Sequence, residues 1–166
     1  MKKLYSWAKR ALVMALAIVA ASTTNAFAAT EGDPEMIALL REIVKEVNAE
    51  LPAELGDGII MNKLYLSKGR MVYDFLLPAD GLELFMAFYE EDSEEFEAMM
   101  IGSMLEDNEE VLILFAVCVE AEYGLELKFS DYDRDNSFSI IWTHHDMKPL
   151  LGDLDIYDIL ESWMEY

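Results

Sequence analysis

Three aspartates at alternate positions, Asp131, Asp133 and Asp135, have the type and spacing for chemistry. Alternate carboxylates on a tight loop can offer a calcium ion several of the oxygens it needs. The match to a calcium loop then breaks twice. Asn136 stands where the sharp turn wants glycine, and Trp142 stands where a bidentate Glu would close the site. Asp and Asn also favour hairpin tips, because their side chains bond to the neighbouring backbone. The expectation is a solvated turn, with weak calcium binding at Asp131, Asp133 and Asp135 as the other reading.

His144-His145-Asp146 combines imidazole with carboxylate, and both are zinc ligands. At a strand end, adjacent side chains point to opposite faces, so one shared ion would need a third ligand from elsewhere. A polar loop is expected there. Glu120 and Glu122 border an apolar run, where burial would raise their pKa values and suit them to acid–base hydrolysis. Exposure on a helix's outer side is the simpler account. With 33 acidic residues in the chain, carboxylate pairs are too common to select a catalytic one. Cys118 lies within Leu114-Phe115-Ala116-Val117-Cys118-Val119, surroundings that raise a thiol's pKa and favour a core role. Met99, Met100 and Met104 can fill a core or grip a partner. No G-x-S-x-G elbow, H-E-x-x-H, P-loop or G-x-G-x-x-G is present. No catalytic residue and no cofactor are assigned.

The 166 residues carry 12 Lys and Arg against 33 Asp and Glu, a net charge of -21. That balance excludes nucleic acid as a partner and disfavours an anionic lipid surface, since both attract cations and repel carboxylates. A single Cys excludes an intrachain disulfide framework. Hydrophobic residues at 54% are enough for a core, and the length suits one domain.

The first 28 residues have the three regions of a secretory signal. Lys2, Lys3, Lys9 and Arg10 form the basic start, Ala11 to Ala21 the apolar stretch, and Ala26-Phe27-Ala28 the cleavage pattern. The apolar run is too short for a bilayer, which needs about 20 residues. Cleavage after Ala28 and export to a periplasm or the medium are expected. Four basic residues would leave with the signal, so residues 29–166 hold 8 basic and 33 acidic residues, and 8 − 33 = −25.

Hydrophobic period then predicts the elements. Asp33-Pro34 opens a helix whose buried face is Met36, Leu40, Ile43, Val47 and Leu51. A hairpin is expected over 59–67 and 70–77 about Lys68-Gly69. Leu82, Leu84, Met86 and Phe88 alternate, which predicts a third strand. Asp92 with Glu95, and Asp107 with Glu110, resemble capping boxes for two helices, the second being the apolar Val111–Val119. A second hairpin follows over 125–132 and 137–143, and an amphipathic helix from Asp153 carries Ile156, Leu160, Trp163 and Met164. The expected fold is α+β, an antiparallel sheet of about five strands with helices on one face and helices at both ends.

Val47-Asn48, Leu51-Pro52, Val72-Tyr73, Cys118 and Phe129-Ser130-Asp131-Tyr132-Asp133 together make a pattern over residues 35–143. It resembles small exported bacterial α+β domains of unassigned function. The chain departs from that pattern in Leu82–Glu97 and in its final helix. The resemblance implies the fold and carries no catalytic residue. The functional expectation is a non-catalytic exported domain binding a basic protein or peptide, in an inhibitor or immunity-like role. The alternatives are a calcium-binding envelope protein and a hydrolase with an unrecognised carboxylate pair.

Overall fold

The computed structural model describes residues 32–105, 109–153 and 155–158. The signal-like segment 1–28, Asp107, and the final helix's Leu160, Trp163 and Met164 lie outside the described residues. Helix α1, Pro34–Ala49, begins as its sequence requires. The Asp33 carboxylate accepts the Glu35 N–H at 2.8 Å, and Pro34 occupies the first turn, where no N–H is needed. Met36, Leu40, Ile43 and Val47 are buried. Near its end, the Asn48 side chain accepts the Leu64 N–H at 3.0 Å and donates to the Leu64 carbonyl, so one amide sets the helix's position along the sheet.

The sheet contains β1 (Ala53–Gly56), β2 (Ile59–Ser67), β3 (Arg70–Leu77), β4 (Gly124–Asp131) and β5 (Ser137–Trp142), in that spatial order. Lys68 and Gly69 both have positive φ, 51° and 70°, as a two-residue hairpin turn between β2 and β3 demands. Both predicted hairpins form. The sheet is mostly antiparallel, but β3 and β4 run parallel, from Arg70↔Gly124 to Leu77↔Asp131. The reason lies in the connection: three helices return the chain to the start of the sheet, whereas a tight turn would have reversed it.

Those helices are α2 (Ala79–Glu91), α3 (Ser93–Leu105) and α4 (Glu109–Glu120). The strand expected over Leu82–Phe88 is therefore a helix, α2. Leu82 is buried, and Phe85, Met86 and Tyr89 pack against the core. This is an i, i+3, i+4, i+7 face, and it outweighs the two-residue alternation in the same segment. The third strand of the first half is instead the short β1. Asp92 caps α3 by accepting the Glu95 N–H at 2.9 Å, the bond its spacing implied. In α4, Ile113 through Val119 are all buried. A helix apolar all round belongs in an interior, and α4 is enclosed there.

After β5, a short helix α5 (His144–Met147) leads into a 3-10 turn, Lys148–Leu151, where a polar loop was expected. Thr143 and Asp146 form a reciprocal capping box that explains the helix. Further on, Ile156 is buried, and the Tyr157 hydroxyl donates to the Asp33 carboxylate, tying this segment to the start of α1. Burial of Met61, Leu64, Met71, Phe75, Leu125, Leu127, Phe129, Ile140 and Trp142 places the core on one face of the sheet. The buried helical residues join that same cluster, which leaves the other face without a helix layer among the described residues.

Candidate interaction surface

Helices α2 and α3 form the outer wall on the core side. Phe96 meets Phe85 and Tyr89 edge-on, with ring centroids 5.8 and 6.0 Å apart. Phe85 and Tyr89 in turn contact Phe129 and Phe138 at 5.5 and 5.7 Å, which seats α2 on the far end of the sheet. With that face and Leu82, Met86, Met100 and Ile101 turned to the core, other side chains of both helices are exposed. They are of two kinds. Leu84, Phe88 and Met99 stand 55%, 52% and 57% exposed. Around them are Glu83, Glu90, Glu91, Asp92, Glu94 and Glu95, and from Met71 through Leu127 the sequence contains no Lys or Arg. Leu84 and Phe88 are four residues apart and therefore share one stripe of α2. Singly exposed apolar residues are common, but three large ones on two helices without Lys or Arg make this wall the candidate interaction surface.

Reading Leu82–Phe88 as a strand concealed this stripe, because strand alternation assigns Leu82, Leu84 and Phe88 to one side. The helical spacing of Leu82, Phe85, Met86 and Tyr89 was the signal that separates them. Of the three methionines, Met99 is exposed and Met100 packs partly into the core, and the Met104 side chain lies outside the described residues.

The three aspartates of the β4–β5 turn are placed differently from one another. Asp131 is buried, and its carboxylate accepts the N–H groups of Asp135 and Asn136 at 2.9 and 3.1 Å and the Asn136 side-chain amide at 2.9 Å. The Asn136 amide first, then the backbone donors, hold its pKa below the ordinary carboxylate value. Asp133 and Asp135 are exposed. Among the described residues, no group of three or more His, Cys, Asp or Glu has the geometry to hold a metal ion. Next to this turn, Tyr132 donates its hydroxyl to the Gly58 carbonyl, which pins the tip to the β1–β2 loop.

The same turn sends Arg134 across the open face of the sheet. Its φ is 62°, a conformation that suits Gly or Asn better than Arg. Its guanidinium reaches the buried Asp74 carboxylate at 2.9 and 3.4 Å, and the Asn62 amide donates to the same group at 2.8 Å. A second cluster lies alongside. Arg70 pairs with Glu126 at 3.4 Å, and Ser139 donates to Glu126 at 2.8 Å. Sequence reasoning missed this face entirely, since its members are distant in the chain and become neighbours through strand register alone.

Glu120 and Glu122 are exposed, as the simpler account of them expected. Cys118 is buried and free, and burial pushes its thiol up to about 12. His144 and His145 sit on α5, with ring centroids 3.9 Å apart, so they lie side by side where a strand end would have parted them.

No helix among the described residues is long and apolar enough to cross a membrane. No protein-family model matches the chain. No curated protein matches it either. Among solved structures, the chain is similar to a "putative secreted protein" from Pseudomonas aeruginosa, with a TM-score of 0.54 and 12% identity. The match covers 72% of this chain and 99% of that one. At that identity the likeness establishes a shared α+β fold and leaves the site to be argued from this chain's own residues.

Proposed function

We propose that this protein is an exported, non-catalytic domain that binds a cationic protein or peptide through the outer wall of α2 and α3. The observation that carries the reading is the exposure of Leu84, Phe88 and Met99 on helices whose charged residues are all acidic. Such a wall complements a basic amphipathic segment. The segment's apolar side covers the stripe, and its Lys and Arg meet the surrounding carboxylates. The charge excess speeds encounter and makes it sensitive to salt, while the apolar contact sets the lifetime of the complex. Export is supported by the basic, apolar and Ala-x-Ala regions of residues 1–28 and by the kind of protein that shares the fold. An inhibitor or immunity-like role against a basic enzyme is the most concrete form.

A synthetic Lys/Leu amphipathic helix is a suitable probe, titrated calorimetrically against the soluble protein at low and high salt. Binding should weaken with salt, and should weaken by about tenfold or more in Leu84→Ser/Phe88→Ser. The double substitution leaves the charge unchanged, so that loss isolates the apolar contact. Equal affinity in the variant would reduce the interaction to unspecific charge attraction and overturn the reading.

A further inference from the structure

The open sheet face gathers most of the cations of residues 29–166. Residues 29–166 hold eight cations, Arg41, Lys45, Lys63, Lys68, Arg70, Lys128, Arg134 and Lys148. Five of them, Lys63, Lys68, Arg70, Lys128 and Arg134, lie on β2, β3, β4 and the two hairpin turns beside that face. Arg70 is matched by Glu126. Lys63, Lys128 and Arg134 converge on one acid, whereas Lys68 stands apart at the β2–β3 turn. In the register Lys63↔Asp74↔Lys128, Lys63 and Lys128 flank Asp74 on neighbouring strands and project to the same side. Their backbones are two strand spacings apart, about 10 Å, with only the short Asp74 side chain between them. Arg134 arrives over Asp74 from the turn and spends two of its five donors there. Its side chain is 44% exposed, so the remaining donors face solvent. No ion pair joins Lys63 or Lys128 to an acid among the described residues, and Lys63 instead lies 5.6 Å over the Tyr65 ring.

We infer that Lys63, Lys128 and Arg134 form an anion site that takes a phosphate group. Around Asp74 itself, three cations against the one carboxylate leave two positive charges for a phosphate dianion to cancel, while Asp133 and Asp135 flank Arg134 in the turn and are exposed to water. Like charges on neighbouring strands repel one another, and in residues 29–166, where acids outnumber bases 33 to 8, two lysines without an acidic partner stand out. The guanidinium supplies directed donors, and the lysines supply mobile point charges on either side. Tyr65, two residues along β2 from Lys63 and on the same face, offers a surface for the organic part of a phosphomonoester. Free phosphate and a phosphomonoester share the chemistry the site recognises.

Inorganic phosphate and glycerol 3-phosphate are the probes, titrated separately at constant ionic strength and followed by amide chemical shifts. Saturable shifts centred on β2, β3 and β4 are expected, with affinity lost about tenfold for Lys63→Ala and again for Lys128→Ala. These two lysines are on the surface, so their removal leaves the fold intact, and unchanged shifts elsewhere verify that. Tighter binding of the ester would assign the organic part to Tyr65, and equal binding would assign the site to phosphate alone. Leu84→Ser/Phe88→Ser should bind phosphate as the parent does, so this inference and the proposed cationic partner stand or fall separately. Absence of saturation with either probe, or affinity undiminished in the lysine variants, would overturn it.

Discussion

Charge is handled in opposite ways on the two sides of this sheet. On the α2–α3 wall, Glu83, Glu90, Glu91, Glu94 and Glu95 are exposed with no cation in their helices, and water and counter-ions must screen them. On the open face, Asp74 and Glu126 are each met by an arginine and a neutral donor, and Asp74 is buried. The difference follows from burial. An exposed carboxylate tolerates isolation, whereas one removed from water needs a partner or it neutralises. The wall's charges are therefore not tied up within the fold, while on the open face Asp74, Glu126 and their two arginines hold strands and turn together. Stability and recognition should respond to substitution on different sides.

The largest effect is expected inside the wall. Phe96→Ala removes the buried ring that Phe85 and Tyr89 meet edge-on. A loss of about 3–5 kcal/mol in denaturant unfolding is expected. A loss below about 1 kcal/mol would mean that α2 and α3 are not packed as one layer, and the outward stripe would lose its support. On the open side, Asp74→Ala strands the Asn62 amide and the Arg134 guanidinium. Arg134 is partly exposed and can turn to water, so about 2 kcal/mol is expected, below the 3–5 kcal/mol of a fully buried pair. A neutral outcome would show that the open face does not depend on its pairing.

The two sides also differ in how far the sequence revealed them. Period and capping made α1, both hairpins and the apolar α4 legible, because Asp33-Pro34, Lys68-Gly69 and the run to Val119 act locally. The same local signals misread α2, where Leu82, Leu84, Met86 and Phe88 alternate and the helical set Leu82, Phe85, Met86 and Tyr89 overlaps them. The parallel β3–β4 pair was invisible for a related reason: direction is decided by the whole connection between Leu77 and Gly124. The candidate surfaces were legible only as an overall charge. Asp74, Asn62 and Arg134 are up to 72 residues apart (134 − 62 = 72) and share no local pattern.

A smaller effect separates acids by their bonding. Asp131 is held below its ordinary value of 3.8 by Asn136, Asp33 by the Tyr157 hydroxyl, and Asp146 by the Thr143 hydroxyl. A carboxylate whose folded pKa is depressed adds stability that is complete above its unfolded value and disappears as the pH falls through the folded one. Unfolding midpoints should therefore fall from about pH 5 downward. Asp131→Asn should lower the midpoint at neutral pH by less than Asp74→Ala does, and should flatten that acid decline. An unchanged acid decline in the variant would remove Asp131 from those that hold the fold.

The smallest change in stability should accompany the most drastic change in chemistry. Leu84→Ser/Phe88→Ser replaces two large apolar side chains, yet both are more than half exposed and neither takes part in the Phe85–Phe96 ring contact. Serine costs a few tenths of a kcal/mol in helix propensity at each position, and the exposed half of each side chain is in water in both the folded and the unfolded state. The unfolding free energy should stay within about 0.5 kcal/mol of the parent for each substitution, while the amphipathic probe is lost. That combination is what distinguishes a recognition surface from a structural one. A loss of 2 kcal/mol or more would place Leu84 and Phe88 under cover in the folded protein, and the wall would then resemble the Asp74–Arg134 pairing, with side chains that hold the fold.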